Sequence, residues 1–279
     1  MRHADIVRAT LSQEITLSGR GLHGGTPIEM CLRPGHAGVR FFAGKDMCEA
    51  RPGNVADTKR STNLECACTI EHLMSALSGL GVTDVDVHLY AANGEPAEVP
   101  AMDGSALPFY ISVGEAGLDE LGSTRIPFPD YPVRFSQGDT TITIDLGAGK
   151  WCYQYESSEL WPHRGEALVA NIATNYLHCV APARTFLRES ELATLDERGL
   201  ARGIDRATAL VIGKEGPISD PRMPNELVTH KLLDLIGDIY LVGIPARYLD
   251  VFARKSGHAT NVASARMLWR LMVQPGAPG

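Results

Sequence analysis

The sequence predicts an α+β protein made of two related halves, each a β-sheet with helices, and three observations carry that expectation. Both halves mix short runs rich in β-branched and aromatic residues with longer apolar stretches of helical period. Between them, near residues 115–132, a segment dense in Gly, Pro and acidic residues reads as a linker, which divides the chain into residues 1–120 and 125–273. Finally, His72-Leu-Met-x-Ala-Leu-x-Gly in the first half is weakly echoed by His230-Lys-Leu-Leu-x-Leu-Ile-Gly in the second, each followed by a strand and a Gly-bearing loop.

In the first half, Ile28–Leu32, Val39–Phe42 and Val85–Leu89 read as strands around an apolar helix from about Glu71 to Leu80. In the second, Val133–Phe135, Thr141–Leu146, Cys152–Tyr155, Ala207–Ile212 and Tyr248–Ala253 read as strands, with a helix from about Glu226 to Leu241. An amphipathic stretch from Val262 to Val273 is expected to cover the second sheet, and Gln274–Gly279 to fray.

With 279 residues, 44% of them hydrophobic, the chain can bury substantial cores. A net charge of -7 and the absence of any Lys/Arg-rich tract give no reason to expect a nucleic-acid partner or an anionic membrane surface. Six scattered cysteines read as reduced thiols, and no apolar run reaches signal-peptide or membrane-span length, so a cytoplasmic protein is expected. Oligomeric state is not legible.

Chemistry concentrates in a few segments. His230, Asp234 and Asp238 lie four residues apart, so a helix puts all three on one face, and two of them could grip one ion. A His-x3-Asp pair alone is more often a surface or capping pair. Here it sits among Leu, Ile and Tyr, where ionisable groups are costly to bury unless paired or metal-bound. A catalytic zinc takes three protein ligands and leaves a fourth position for water. His72 is the best third ligand, and Glu71, about 100° around the helix from it, can stand beside that water as general base. Cys66-x-Cys68 with His72 is a weaker metal reading, since a closed site needs four ligands and no second cysteine pair is at hand. Lys255-Ser256-Gly257-His258 follows a strand-like run and places a histidine in a Gly-bearing loop, where Asp238 could hold one ring nitrogen and favour the protonated form.

These segments, with Gly19-Arg20-Gly21-Leu22-His23-Gly24-Gly25, Glu98 to Ala106 and Ala183-Arg184-Thr185-Phe186, resemble the motif series of the zinc-dependent UDP-3-O-acyl-N-acetylglucosamine deacetylases of lipid A biosynthesis, the LpxC family, in the family's order and over almost the whole chain. The resemblance implies helices packed between two sheets with the site at the domain junction, and a UDP-sugar substrate. It implies Zn2+ held by His72, His230 and Asp234, with Glu71 as general base, His258 as general acid, Asp238 orienting His258 and Thr185 at the oxyanion. Phe186, Lys231, Lys255 and Gly257 are expected to contact substrate. His23, in a Gly-rich loop, has either a substrate contact or a capping or packing role.

Two departures bear on the substrate. Glu65 to Ile70 form a shorter connection than the family's first insert, and Gly203-Ile204-Asp205-Arg206-Ala207-Thr208 replaces Gly-Gly-Ser-Leu-Asp-Asn in a second insert that is also shortened. A buried acyl chain gains ~0.8 kcal/mol per CH₂, so an altered passage can remove much of the affinity for an acylated substrate. The alternative expectation is an N-acetylated sugar nucleotide or nucleoside without a long acyl chain.

Overall fold

The computed structural model describes residues 1–91, 97–159, 161–191 and 208–273. The first half contains β1 (Arg2–Leu11), β2 (Ile15–Arg20), β3 (Pro27–Pro34), β4 (Val39–Ala43), β5 (Asp46–Glu49), β6 (Val55–Asp57), β7 (Asn63–Leu64), α1 (Glu71–Leu80), β8 (Val85–Ala91), α2 (Leu107–Glu115) and β9 (Leu118–Phe128). The second contains β10 (Val133–Gln137), β11 (Thr140–Leu146), β12 (Trp151–Glu156), β13 (Arg164–Val169), α3 (Ile172–Cys179), β14 (Phe186–Arg188), β15 (Leu210–Ile212), α4 (Glu226–Ile239), β16 (Leu249–Arg254) and α5 (His258–Val273).

Two five-stranded sheets result, in the orders β2-β3-β8-β4-β5 and β10-β11-β16-β12-β13. Both run antiparallel, antiparallel, parallel, antiparallel across their neighbours. In each sheet the central strand comes last in sequence, entering directly after a helix, α1 or α4. The echo between the His72 and His230 segments is therefore part of a repeated unit, with each histidine near the start of the helix that precedes the inserted strand.

Strand alternation buries one face of each sheet, with Met30, Leu32, Phe41 and Val87 in the first and Ile142, Ile144, Trp151, Tyr153 and Val251 in the second. Nine of the ten residues of α1 and thirteen of the fourteen of α4 are buried. Helices apolar or buried all round must lie inside a protein; these two pack against each other between the sheets. Gly81, in the left-handed region at φ 82°, ends α1 by donating its N–H to Leu77 O at 2.9 Å.

Where α1 and α4 meet, Gly237 is the contact point. A Cβ built there would lie 2.1 Å from the main-chain oxygen of Glu71, against a helix that cannot yield. Gly237→Ala is expected to cost about 3 kcal/mol or more through overpacking, and to loosen metal binding by separating His72 from His230. A thermal melt and a zinc titration of the variant check both effects.

The segment expected as a linker proves to be ordered. Residues 118–128 form β9, which pairs antiparallel with β1 along its length, apart from both sheets. Neither strand is legible in the sequence, because β9 is largely exposed and its pairing depends on main-chain bonds to residues more than a hundred positions away. The expected strand 207–212 is confined to Leu210–Ile212 among the described residues, and the helix expected to reach Leu241 ends at Ile239 before a tight turn. The altered positions Gly203 to Ala207 and the tail Gln274–Gly279 lie outside the described residues. Among the described residues, no helix is long and apolar enough to cross a membrane.

Candidate metal centre and catalytic pocket

His72 is the second residue of α1, and His230 and Asp234 stand one turn apart on α4. Packing of the two helices brings the rings of His72 and His230 edge to face, 4.9 Å between centroids. One donor atom from each of the three residues lies within 4.8 Å of the others, and this is the one such group of three among the described residues. Asp234 Oδ1 is 3.3 Å from His230 Nε2 and 3.8 Å from His72 Nε2. Donors about 2.1 Å from a tetrahedral centre stand about 3.4 Å apart, so the residues fit a zinc-sized cation. Asp234 Oδ1 is buried without a hydrogen bond, an orphaned acceptor that a cation would satisfy.

Protonation states agree with ligation. Burial, followed by the neighbouring His230, pushes the His72 imidazole down to about 3, and burial also lowers that of His230. Both rings are neutral near pH 7, so their approaches to Asp234 are not ion pairs. Burial would raise Asp234, but the cationic forms of His230 and His258 and the Lys231 ammonium outweigh it and hold the carboxyl well below its usual range. His230 Nδ1 lies 3.0 Å from Ala183 O, and a proton donated there leaves Nε2 as the donor to a metal.

Glu71, the first residue of α1, is buried and accepts the Thr62 N–H at 2.9 Å. Burial, reinforced by Asp234 and Asp238 and opposed by His258, raises its carboxyl to about 8. His258 begins α5 rather than sitting in a loop, because Thr260 Oγ1 accepts the Gly257 N–H at 3.0 Å and the helix closes at once. Its Nδ1 lies 3.0 Å from Asp238 Oδ2. Burial and the positive end of the helix work against an imidazolium there, yet Asp238, Asp234 and Glu71 raise it to about 9. Asp238 is completely buried and also accepts from Asn261 Nδ2 at 2.9 Å and Thr62 Oγ1 at 2.5 Å.

Glu71, His72, His230, Asp234 and His258 line a cavity of about 190 Å³ together with Thr185, Phe186, Lys231, His23, Arg60 and Glu191. The Lys231 ammonium lies 5.2 Å over the Phe186 ring and 3.4 Å from Asp234 Oδ2. Lys255 and Gly257 do not line it: Lys255 pairs with Asp139 at 2.8 Å on the surface, and Gly257 serves the start of α5. Glu98 shapes the His23 loop, accepting the N–H groups of His23 and Gly24 at 2.8 and 3.1 Å, while His23 Nε2 is buried with no partner. Cys66 and Cys68 do not converge with His72, and all six cysteines are free. A larger cavity of about 410 Å³, lined by Met74, Tyr240 and Trp269, holds no comparable chemistry, since its Arg8 and Arg51 are already paired with Asp84 and Glu49.

Thr62 and Asn261 belong to the site without any signal in the sequence. Each is a small polar residue in a polar stretch, and the carboxylate that both of them hold lies elsewhere in the chain.

The family model described as LpxC, UDP-3-O-acyl N-acetylglycosamine deacetylase, matches residues 8–270. The chain belongs to the LpxC family. It is similar to proteins named UDP-3-O-acyl-N-acetylglucosamine deacetylase from Leptospira biflexa serovar Patoc (32% identical over 278 residues), Acidithiobacillus ferrooxidans (34% over 280) and Cellvibrio japonicus (33% over 275). Those matches cover 94%, 94% and 93% of this chain and 90%, 90% and 89% of the relatives. The resemblance is thus spread over both LpxC halves and includes every segment that contributes to the pocket.

Proposed function

We propose that the chain is a zinc-dependent hydrolase that removes the N-acetyl group from UDP-3-O-acyl-N-acetylglucosamine. The supporting observation is the meeting of His72, His230 and Asp234 with a buried carboxyl group, that of Glu71, and a buried imidazole, that of His258, on one cavity. Names of the similar proteins supply the substrate class.

An amide resists attack, so hydrolysis needs a strong nucleophile, a stabilised tetrahedral oxyanion and a proton for the departing amine. His72, His230 and Asp234 would hold a Zn2+ ion, which would supply the Lewis acidity that makes water a nucleophile near neutral pH. Glu71 in its ionised form accepts the proton of the attacking water, and burial, which raises the carboxyl, makes that form a stronger base than a solvent-exposed glutamate. Thr185, on the cavity wall, donates to the oxyanion. His258, cationic at neutral pH, gives its proton to the amine nitrogen as the carbon–nitrogen bond breaks, and acetate leaves. Lys231 and Phe186, both on the cavity wall, contact the sugar nucleotide, Lys231 at its sugar or its phosphates. The six free cysteines suit a reducing compartment, and cytoplasmic catalysis is part of this proposal.

A second substrate has one observation in its favour. Arg60 and Glu191, 3.9 Å apart, put two charged side chains on the cavity wall beside Leu187, where an acyl chain would prefer apolar groups. Acetate release by the zinc-loaded protein from acylated and unacylated UDP-N-acetylglucosamine decides between them. Turnover of the acylated compound is the expected result. Turnover of the unacylated one alone would exchange the substrate and leave the chemistry standing, and turnover of neither would remove both.

A further inference from the structure

The side chain of Thr62 lies at the junction of the two groups to which the proposed reaction assigns proton transfer. Its N–H reaches Glu71 Oε2 at 2.9 Å, and its carbonyl oxygen accepts from the N–H of Ile70 at 3.1 Å, so the main chain on both sides is tied to the start of α1. Its Oγ1 donates to Asp238 Oδ1 at 2.5 Å and lies 3.3 Å from His258 Nδ1. The residue is fully buried, so no water competes for these bonds.

Asp238 thereby has both oxygens occupied. Oδ2 faces His258 Nδ1 and accepts from Asn261, while Oδ1 accepts from Thr62. A carboxylate held by one oxygen alone can rotate about its terminal torsion, which is broad and shallow. With Oδ1 pinned by a residue from the first half of the chain, Oδ2 has to stay in line with the imidazole, and Nε2 of His258 is left 3.9 Å from Oδ2 of Asp234, a residue that lines the cavity with it.

We propose that Thr62 is a positioning residue for catalysis, which orients His258 through Asp238 and couples that pair to Glu71 through its own main chain. The inference rests on the deacetylase reading for its rate effects but not for its geometry. It also gives a reason for a threonine, rather than an apolar residue, in a fully buried position. The Thr62→Val variant is the direct probe: valine is close in shape, can keep both main-chain bonds and loses only the hydroxyl.

The experiment compares wild type, T62V, T62S, H258Q and T62V/H258Q in the zinc-loaded full chain, reading kcat, KM and zinc content. A hydrogen bond to a charged group corresponds to a fall in kcat of about 10- to 100-fold for T62V, with KM and zinc content unchanged. T62S is expected to recover most of that loss. In the H258Q background T62V should cost almost nothing further, because the group being oriented is gone. An undiminished kcat in T62V, or the same fold loss with and without His258, overturns the proposal. A proton spectrum tests the geometry without substrate: the downfield resonance of His258 Nδ1–H, assigned by its loss in H258Q, is expected to move in T62V and hold its place in T62S. An unmoved resonance in T62V rejects the proposal even where acetate release fails and the deacetylase reading falls with it.

Discussion

Purified His72→Ala protein is expected to emerge without stoichiometric metal and without measurable acetate release, while remaining folded. His72 is one of three donors whose atoms lie within 4.8 Å of one another, and the other two come from α4 alone. Removing it leaves a His-x3-Asp pair on a single helix, which holds a cation weakly, and the catalytic role requires three protein ligands beside an open position. The fold should survive because α1 is anchored elsewhere, by Leu73, Met74, Ala76 and Leu77 in the core and by its αL cap at Gly81. Elemental analysis and circular dichroism together test this. Full metal content in H72A would mean that the cation sits elsewhere, and the mechanism would then lose its centre.

Glu71→Gln and His258→Gln are expected to do the opposite, keeping the metal and losing the rate. Each proton-transfer group typically contributes about 10²–10⁴-fold, so kcat should fall by that factor in each variant, with zinc bound as in the wild type. Glutamine keeps the volume and most hydrogen bonds of glutamate but cannot take a proton, and in E71Q the side-chain oxygen can still accept the Thr62 N–H. The two losses should not multiply in the double variant, because residues acting in one proton path are strongly non-additive. Stopped assays for acetate, paired with metal analysis, distinguish loss of chemistry from loss of the cation. A small fall in kcat for E71Q would remove Glu71 from the role of base and direct attention to another group on the cavity wall.

These predictions draw on residues that the sequence exposes unevenly. α1 is legible to its boundaries because an apolar run with helical period ends at a glycine. Strands β3, β4, β8, β11 and β12 are legible from alternation or from short β-branched runs. The ribbon of β1 and β9 is not, since β9 is mostly exposed and carries no apolar period to mark it as the partner of β1. His258 reads as a loop residue because its helix begins with polar residues, and the bond between Gly257 and Thr260 that starts it leaves little trace in the pattern. Lys255 resembles a substrate contact beside Gly257 and His258, yet its backbone takes a left-handed φ of 54° and its ammonium turns to Asp139.

What the sequence determined by itself was which chemical groups are present and how each lies along its own helix: Glu71 next to His72, and His230, Asp234 and Asp238 each one turn apart. Such local relations follow from helical geometry, which is the same in every protein. Only the tertiary structure decided that α1 touches α4 at Gly237, that Asp234 Oδ1 is left without a hydrogen bond between two neutral imidazoles, and that Thr62 reaches Asp238 across 176 positions. Those facts depend on how two repeated units pack face to face, and packing is set by the summed shape of many side chains, a quantity that no single segment records.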